Sequence, residues 1–262
     1  MFRTRLISGI LLVIIALITI TSGGLVLFTT LMGISLIGMQ ELYRAMGIRR
    51  NTFNALEITG YLGAVLYYCT LLSGWGEYRM MVLLLTLVCI MCVYVFTYPR
   101  YHAGQIMSAY SGIIYVAVML SYIYQLRNLE DGAYLVWLVF LSSWGSDTCA
   151  YCTGMLFGKH KMAPVLSPKK SVEGAIGGVV GAALLGAVYA AAIDGHIGNY
   201  ALICGFGSLV AMVGDLAASA IKRNQEIKDY GTLIPGHGGI LDRFDSVIFC
   251  APFIYFLSIL LL

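Results

Sequence analysis

Residues 80–97 have the sequence MMVLLLTLVCIMCVYVFT and contain no charged side chain. An α-helix needs about 20 residues to cross the roughly 30 Å of hydrocarbon in a bilayer. Apolar residues follow one another here without the period-two alternation that is typical of a membrane β-barrel strand. The stretch therefore predicts a helix that spans a membrane.

Apolar runs of this kind recur along the whole chain. We predict membrane-spanning helices at approximately 6–21, 25–43, 53–72, 80–97, 104–125, 133–156, 172–193, 200–222 and 246–262. Hydrophobic residues make up 60% of the chain and charged residues only 11%, whereas soluble globular domains have about 45–50% and about 25%. The surplus apolar surface must face lipid. We therefore expect an all-α, polytopic integral membrane protein with about nine transmembrane helices, and we exclude a disordered chain.

The first apolar run follows Arg3 and Arg5, as the hydrophobic region of a signal peptide would. No A-x-A-like cleavage site follows it, and Ser22-Gly23-Gly24 leads directly into the second run. We expect a retained helix that forms a tight or incomplete hairpin with the next one.

The distribution of positive charge predicts the orientation. If nine helices are threaded from a cytoplasmic N-terminus, all of the 16 Lys and Arg residues except Arg79 and Arg127 fall on the cytoplasmic side. Cytoplasmic loops carry such an excess, so the C-terminus is expected outside.

The net charge of +3 is too small to indicate nucleic-acid binding. The seven Cys residues, an odd number, do not indicate a disulfide framework.

Charged residues are concentrated in the C-terminal half, where residues 144–245 hold eight of the 13 acidic and eight of the 16 basic residues. We predict a transmembrane scaffold over 1–130 and a catalytic region over 131–262, with its site facing the cytoplasm. No internal repeat is evident, which gives a repeat-based transporter little support.

The densest polar stretch runs from Asp215 to Asp245. Asp215 lies about two turns inside the eighth apolar run and shares a helical face with Ser219 and Lys222. A carboxylate at the centre of a membrane helix costs about 2.5–3.5 kcal/mol on insertion scales. It therefore needs a partner, a cation or a water-filled cavity.

Glycines and paired acids follow in the same stretch. Gly238 and Gly239 allow a backbone to approach phosphate oxygens, and the free N–H groups of a helix that starts there favour an anion. Asp242 and Asp245 are three residues apart and repel each other unless a cation lies between them. Oxygen ligands of this kind suit Mg²⁺, and Arg243 is placed to hold a phosphate. The alternative for the loop alone is a solvated, glycine-rich turn.

A second polar cluster, Lys159–Lys161 and Ser167–Glu173, lies in the connection before the seventh run. Ser171 is expected to N-cap that helix, with Glu173 in its first turn. The lysines either anchor the protein to anionic lipid or bind the phosphates of a triphosphate or a lipid.

Further features lie inside the apolar runs. Asp147 in the sixth run is either a helix-packing group or, with Asp215, part of one shared polar cavity. The C-x-x-C pairs at Cys89/Cys92 and Cys149/Cys152 lie in apolar runs, so we discount a zinc site. The seventh run has small residues that predict close helix packing: Gly174, Gly177, Gly178 and Gly181.

The polar segments together resemble the signature of the phosphatidate cytidylyltransferase (CDP-diacylglycerol synthase) family. The resemblance is carried by Ser219, Lys222-Arg223, Lys228-Asp229, Gly231, Pro235, His237-Gly238-Gly239, Asp242-Arg243 and Asp245, and upstream by Ser146-Asp147-Thr148, Phe157-Gly158-Lys159, Ser167–Ser171 and Glu173-Gly174. It implies a polytopic helical enzyme, often dimeric, that condenses CTP with phosphatidic acid in the presence of Mg²⁺ and gives CDP-diacylglycerol and pyrophosphate. The N-terminal 130 residues match that family only in being hydrophobic.

The resemblance and the residue types together predict the roles of the site residues. Asp215, Asp242 and Asp245 are expected to hold Mg²⁺, with room for a second cation. The residues expected to hold phosphates or otherwise bind substrate are Ser167, Lys169, Lys170, Ser219, Lys222, Arg223, Lys228, Asp229, Gly238, Gly239 and Arg243. Asp147 and Glu173 are expected to position lysines or a second cation, and His237 to orient a phosphate.

The expected setting is a bacterial inner membrane, with CTP, phosphatidic acid and membrane lipid as partners, a homodimer as the assembly and no nucleic acid. Three other classes stay open at this point. They are another CTP-using membrane enzyme (a polyprenol or diacylglycerol kinase, or an archaeal-lipid cytidylyltransferase), a transporter or channel that uses Asp147 and Asp215, and an inactive scaffold.

Overall fold

The computed structural model describes residues 2–49, 54–236 and 238–262, with side chains from residue 8 onward. Over these ranges the chain forms nine long helical segments and one short β-hairpin. The helices are α1 (Phe2–Ser22), α2 (Gly24–Ala45), α3 (Ala55–Leu72), α4 (Arg79–Phe96), α5 (Ala103–Arg127), α6 (132–157), α7 (Val172–Ala192), α8 (Ile197–Asn224) and α9 (Leu241–Leu261). The hairpin strands are β1 (Lys161–Ala163) and β2 (Ser167–Ser171), and a 3-10 turn, Gly76–Tyr78, precedes α4.

The predicted polytopic helical fold is confirmed. Among the described residues, seven helices are long and apolar enough to cross a membrane, namely α2, α3, α4 with its 3-10 turn, α5, α7, α8 and α9. Ser8–Ser22 of α1 is a shorter apolar helix. Large apolar side chains cover the outside, with Phe96 85% exposed and Leu260 78% exposed. Such surfaces need lipid around them.

The sixth predicted run is helical throughout but is not one regular α-helix. In α6, α-helical Gly132–Phe140 and Ser146–Phe157 flank a π-helical turn, Leu141–Gly145. A second π-helical stretch, Ile113–Val118, interrupts α5. Single π-turns inside helices occur frequently at functional sites, and the turn in α6 ends two residues before Asp147.

The chain forms two compact units. The first unit contains Met1–Tyr124 and Ile227–Asp242, and the second contains Gln125–Glu226 and Arg243–Leu262. The functional division predicted at residue 130 stays a prediction, because compactness alone assigns no function to either part.

Helix α2 lies in the core of the first unit. The Tyr43 hydroxyl donates a hydrogen bond of 2.7 Å to the carbonyl oxygen of Ala109, and the Ser35 and Tyr68 hydroxyl oxygens are 2.8 Å apart. Tyr43 and Tyr68 are fully buried. Burying a hydroxyl costs free energy unless it is hydrogen-bonded, so these contacts favour one fixed placement of α2.

In the second unit, close packing of α6 against α7 confirms the prediction from the glycines. A methyl group at Gly178 would lie 3.0 Å from both the Ala150 Cβ and the Ser146 Oγ. A methyl group at Gly181 would lie 2.5 Å from the Cys149 Cβ. Only glycine permits this approach, which brings the first turn of Ser146–Phe157 against α7.

The β-hairpin leads into α7. Its strands are antiparallel, with Lys161 opposite Ser171 and Ala163 opposite Ser167. Strands this short leave no clear alternation in the sequence, so the pattern did not predict them. The expected N-cap is confirmed, because the Ser171 Oγ accepts a hydrogen bond from the Gly174 N–H at 3.1 Å. The hairpin thus places Lys169 and Lys170 immediately before the α7 N-terminus.

Candidate active site

A cavity of about 460 Å³ lies within the second unit. Residues of α6, the hairpin, α7 and α8 line it. The charged lining residues are Asp147, Lys169, Lys170 and Asp215, and larger apolar ones are Tyr151, Met155, Met162 and Met212. The two acids from separate apolar runs therefore share one cavity, as predicted, although its walls are mainly apolar. A cavity with convergent charges and apolar walls is the usual form of a small-molecule site.

An ion pair crosses this cavity. The Lys170 Nζ donates a short hydrogen bond to the Asp215 Oδ2, and both side chains are about one quarter exposed. The Ser219 Oγ, one turn further along α8, donates to the Asp215 Oδ1 at 3.5 Å. Asp215 thus has the partner that a carboxylate in an apolar helix requires.

Helix α9 adds charges to the same unit. The Asp245 side chain is buried, at 8% exposed, and its Oδ1 accepts a hydrogen bond from the Ser246 N–H at 2.8 Å. Its carboxyl group lies within electrostatic range of Asp147, Asp215 and Lys222. Three of the predicted acids therefore act on one another electrostatically.

The cations of this unit complement these acids. Arg243 lies within electrostatic range of Asp147. The Trp144 Nε1–H of α6 donates a hydrogen bond of 3.4 Å to the backbone carbonyl oxygen of Arg243. Lys222 is in the last turn of α8. The second unit thus combines acidic and basic groups that could bind a cation and anionic phosphates together.

The protein side chains alone do not complete a metal centre among the described residues. Within the part of the chain that the structure describes, no three His, Cys, Asp or Glu side chains lie close enough to hold a metal ion. Mg²⁺ usually binds proteins through one or two carboxylates, with substrate phosphates and water as its other ligands. Asp147 and Asp215 at one cavity fit that mode of binding, in which substrate completes the site.

Asp242 lies in the first unit and organises the loop before α9. Its Oδ2 accepts hydrogen bonds from the Tyr230 N–H at 2.8 Å and from the Gly239 N–H at 3.0 Å. The loop is also closed by a hydrogen bond of 2.9 Å from the Ile234 N–H to the Gly238 carbonyl oxygen. The Gly239 N–H, which was predicted to bind phosphate, is therefore engaged by Asp242 in this structure.

Glu41 of α2 was missed by the sequence analysis. Its Oε1 accepts a hydrogen bond from the Ile240 N–H at 3.0 Å, and its Oε2 accepts one from the Leu241 N–H at 2.8 Å. The signal in the sequence was an acidic residue inside the second apolar run. Only the fold brings it to a loop 199 positions away in the chain.

The other residues predicted to bind substrate lie in the hairpin region, in the last turn of α8 and in the first unit. Glu173 accepts hydrogen bonds from the backbone N–H groups of Lys159 and His160, and one of its oxygens lies 2.6 Å from the His160 Nδ1. It therefore positions the backbone that follows α6. Ser167 begins β2, Arg223 is exposed in the last turn of α8, and Lys228 and Asp229 are exposed in the first unit. His237 lies outside the described residues.

Comparison with known proteins identifies the family of this chain. The model of the cytidylyltransferase family matches residues 3–261. A protein of Staphylococcus saprophyticus named phosphatidate cytidylyltransferase is 32% identical to this chain, and the match covers 98% of this chain and 99% of the relative. A Bacillus subtilis protein of the same name is 30% identical, and the match covers 97% of each chain. Another from Staphylococcus aureus is 31% identical over 98% of this chain and 99% of its own. This chain belongs to the cytidylyltransferase family.

Proposed function

We propose that this enzyme condenses CTP with phosphatidic acid and releases CDP-diacylglycerol and pyrophosphate. Relatives that bear the name phosphatidate cytidylyltransferase match this chain over nearly its whole length. The observation that carries the proposal is the cavity of the second unit, where Asp147 and Asp215 meet Lys169 and Lys170. Such a site can bring two polyanions together, which is the main obstacle in this reaction.

The chemistry requires positioning and charge neutralisation more than a strong base. A phosphate oxygen of phosphatidic acid is already ionised near neutral pH, and it attacks the α-phosphorus of CTP. The new O–P bond forms as the bond to the β-phosphate breaks, and the electron pair leaves on pyrophosphate. Groups held in place before the reaction supply most of the acceleration in transfers of this type.

The residues of the cavity divide this work. Lys169 and Lys170 bind phosphate oxygens, and Lys222 and Arg243 add positive charge in the same unit. Asp147 and Asp215 at the cavity are the residues that would hold Mg²⁺, with phosphate oxygens of the substrate and water as its other ligands. For Asp242 and Asp245, the ligand role predicted from the sequence stays a proposal. When bound, Mg²⁺ neutralises charge on the phosphates of CTP. Asp215, which contacts Lys170 in this structure, would hold the cation, and Lys170 would hold a phosphate oxygen.

The apolar part of the cavity suits a lipid substrate. Tyr151, Met155 and Met212 line it beside the charged groups, and methionine adapts to irregular apolar surfaces. The acyl chains enter sideways between helices while the phosphate reaches the lysines. The active site faces the cytoplasm of a bacterial inner membrane, where CTP is available, and the protein acts as a homodimer.

Product analysis tests this proposal. Purified protein in detergent is incubated with Mg²⁺, CTP and phosphatidic acid, and the products are measured by mass spectrometry and a pyrophosphate assay. We expect CDP-diacylglycerol and pyrophosphate in equal amounts, and neither without phosphatidic acid. Release of CDP instead, with a phosphorylated lipid, would replace the proposal with a CTP-dependent kinase.

A further inference from the structure

Glu41 is a buried acid that the proposed reaction does not use. Glu41 is only 4% exposed and lies near the end of α2. Helix α2 is one of the helices that are apolar enough to span a membrane. Acidic residues in such helices are costly, and by default they indicate a function with a specific partner. The partner of Glu41 is a stretch of backbone.

The two oxygens of Glu41 bind the start of α9. They accept hydrogen bonds from the N–H groups of Ile240 and Leu241. The first N–H groups of a helix have no partner inside that helix, and a negative charge is favourable at this end of the helix dipole. Glu41 therefore acts as a cap supplied by another helix.

The contact is close on two sides of the loop. A methyl group at either Gly231 or Gly239 would collide with the Glu41 carboxylate. The loop segments on both sides of the Ile234–Gly238 bridge thus pack directly on this side chain.

Three consecutive N–H groups connect Glu41 with Asp242. Gly239 donates to Asp242, whereas Ile240 and Leu241 donate to Glu41. The backbone that carries Asp242 is therefore held at adjacent positions by the two carboxylates.

We propose that Glu41 is a positioning residue that fixes the Gly239–Leu241 backbone and thereby places Asp242 to bind Mg²⁺ with the nucleotide. This inference rests on the proposed function for the role of Asp242. An amide cannot replace the carboxylate, because a Gln side chain offers a single acceptor oxygen and turns an NH₂ donor toward the second N–H.

The test compares Glu41→Gln with Glu57→Gln, a matched control. Glu57 is also a fully buried acid of the first unit, but it accepts a hydrogen bond from Tyr61 at 2.7 Å and pairs with Arg49 at 3.4 Å instead of contacting the loop. We expect Glu41→Gln to raise the Mg²⁺ concentration for half-maximal activity about tenfold, as loss of groups that orient metal ligands does. Glu57→Gln should leave this value unchanged even if it lowers thermal stability.

A second readout does not depend on activity. Hydrogen–deuterium exchange of the peptide that covers residues 238–245 should become about tenfold faster in Glu41→Gln, because hydrogen bonds to a charged acceptor are lost. It should stay unchanged in Glu57→Gln, and Glu41→Asp should give an intermediate rate. Unchanged exchange and Mg²⁺ dependence in Glu41→Gln would overturn the inference. If the wild-type protein made no CDP-diacylglycerol but the exchange effect persisted, the proposed function would fail while the capping of α9 by Glu41 would stand.

Discussion

Lys170 and Asp215 form the central contact of the candidate site. Their side chains meet at a cavity lined also by Lys169 and Asp147. A charge without a partner of opposite sign is costly in such an apolar setting, so the contact compensates both side chains at the cavity. In the proposed reaction, the same lysine binds phosphate and the same carboxylate binds a cation.

Replacing Lys170 with Met should lower kcat/KM about 10²–10³-fold, because a preorganised charge that faces the reacting phosphates is removed. The matched control is Lys161→Met, which changes an exposed lysine on the other strand of the same hairpin and should retain near-normal activity. Steady-state kinetics on folded, monodisperse protein provides the measurement. Equal losses in both variants would show that general surface charge matters and the pair with Asp215 does not.

The sequence predicts part of this site at the residue scale. Asp147 and Asp215 are identifiable because a carboxylate in an apolar run needs a polar environment, and the cavity shared by the two acids follows from that requirement. Glu41 carries the same signal, but its partners are backbone N–H groups 199 and 200 positions away. No local pattern marks such a contact, so only the fold reveals it.

At the scale of elements, α7 shows how small residues position the site. Its buried face consists of Gly174, Gly178, Ala182, Gly186 and Ala190. Residues four positions apart lie on one face of a helix, so the stripe lets α6 and α8 approach closely. Small residues at helix interfaces have this function in membranes. The cavity lies among these three helices and the hairpin.

We predict that Gly177→Ala destabilises the protein by about 1–3 kcal/mol, the usual cost of overpacking. The added methyl group would lie 2.5 Å from the Cβ and Cγ2 of Thr153. The control is Gly205→Ala in α8, where the new methyl group would meet the Ala183 Cβ at an ordinary 3.6 Å. Thermal unfolding in detergent should show a lower midpoint for the first variant only. A similar midpoint in both would contradict the packing of α6 on α7.

The sequence predicts the elements better than their irregularities. Long apolar runs bounded by charges predict each long helix, because lipid requires that backbone hydrogen bonds be satisfied within a segment. The π-helical turn Leu141–Gly145 leaves no signal of this kind, since its residues continue the same apolar run. The hairpin between α6 and α7 also escapes prediction, because β1 has only three residues.

At the scale of the whole molecule, the distribution of positive charge predicts the orientation of the chain in the membrane. The Lys and Arg residues of the hairpin, of the α8 C-terminus and of the segment before α9 all lie in connections that the nine-helix threading places on one side. The orientation stays a prediction. It matters to the proposed function, because CTP would have to reach the site from the predicted cytoplasmic side.

Reporter fusions test the orientation. We predict that, in a bacterial inner membrane, alkaline phosphatase fused after Leu262 is active, since nine crossings from a cytoplasmic N-terminus place the C-terminus outside. A fluorescent protein that folds only in the cytoplasm should be dark at the same position, and both fusions should express equally. Bright fluorescence with inactive phosphatase would contradict nine crossings or the cytoplasmic N-terminus.

The most direct test of the central claim is the fate of the individual phosphates of CTP. Protein in detergent receives Mg²⁺, phosphatidic acid and diacylglycerol together, with CTP labelled at either the α- or the γ-phosphate. Transfer of the cytidylyl group predicts α-label in the lipid phase and γ-label in pyrophosphate. The reverse pattern, with γ-label in lipid and α-label in released CDP, would contradict the account and establish a kinase instead.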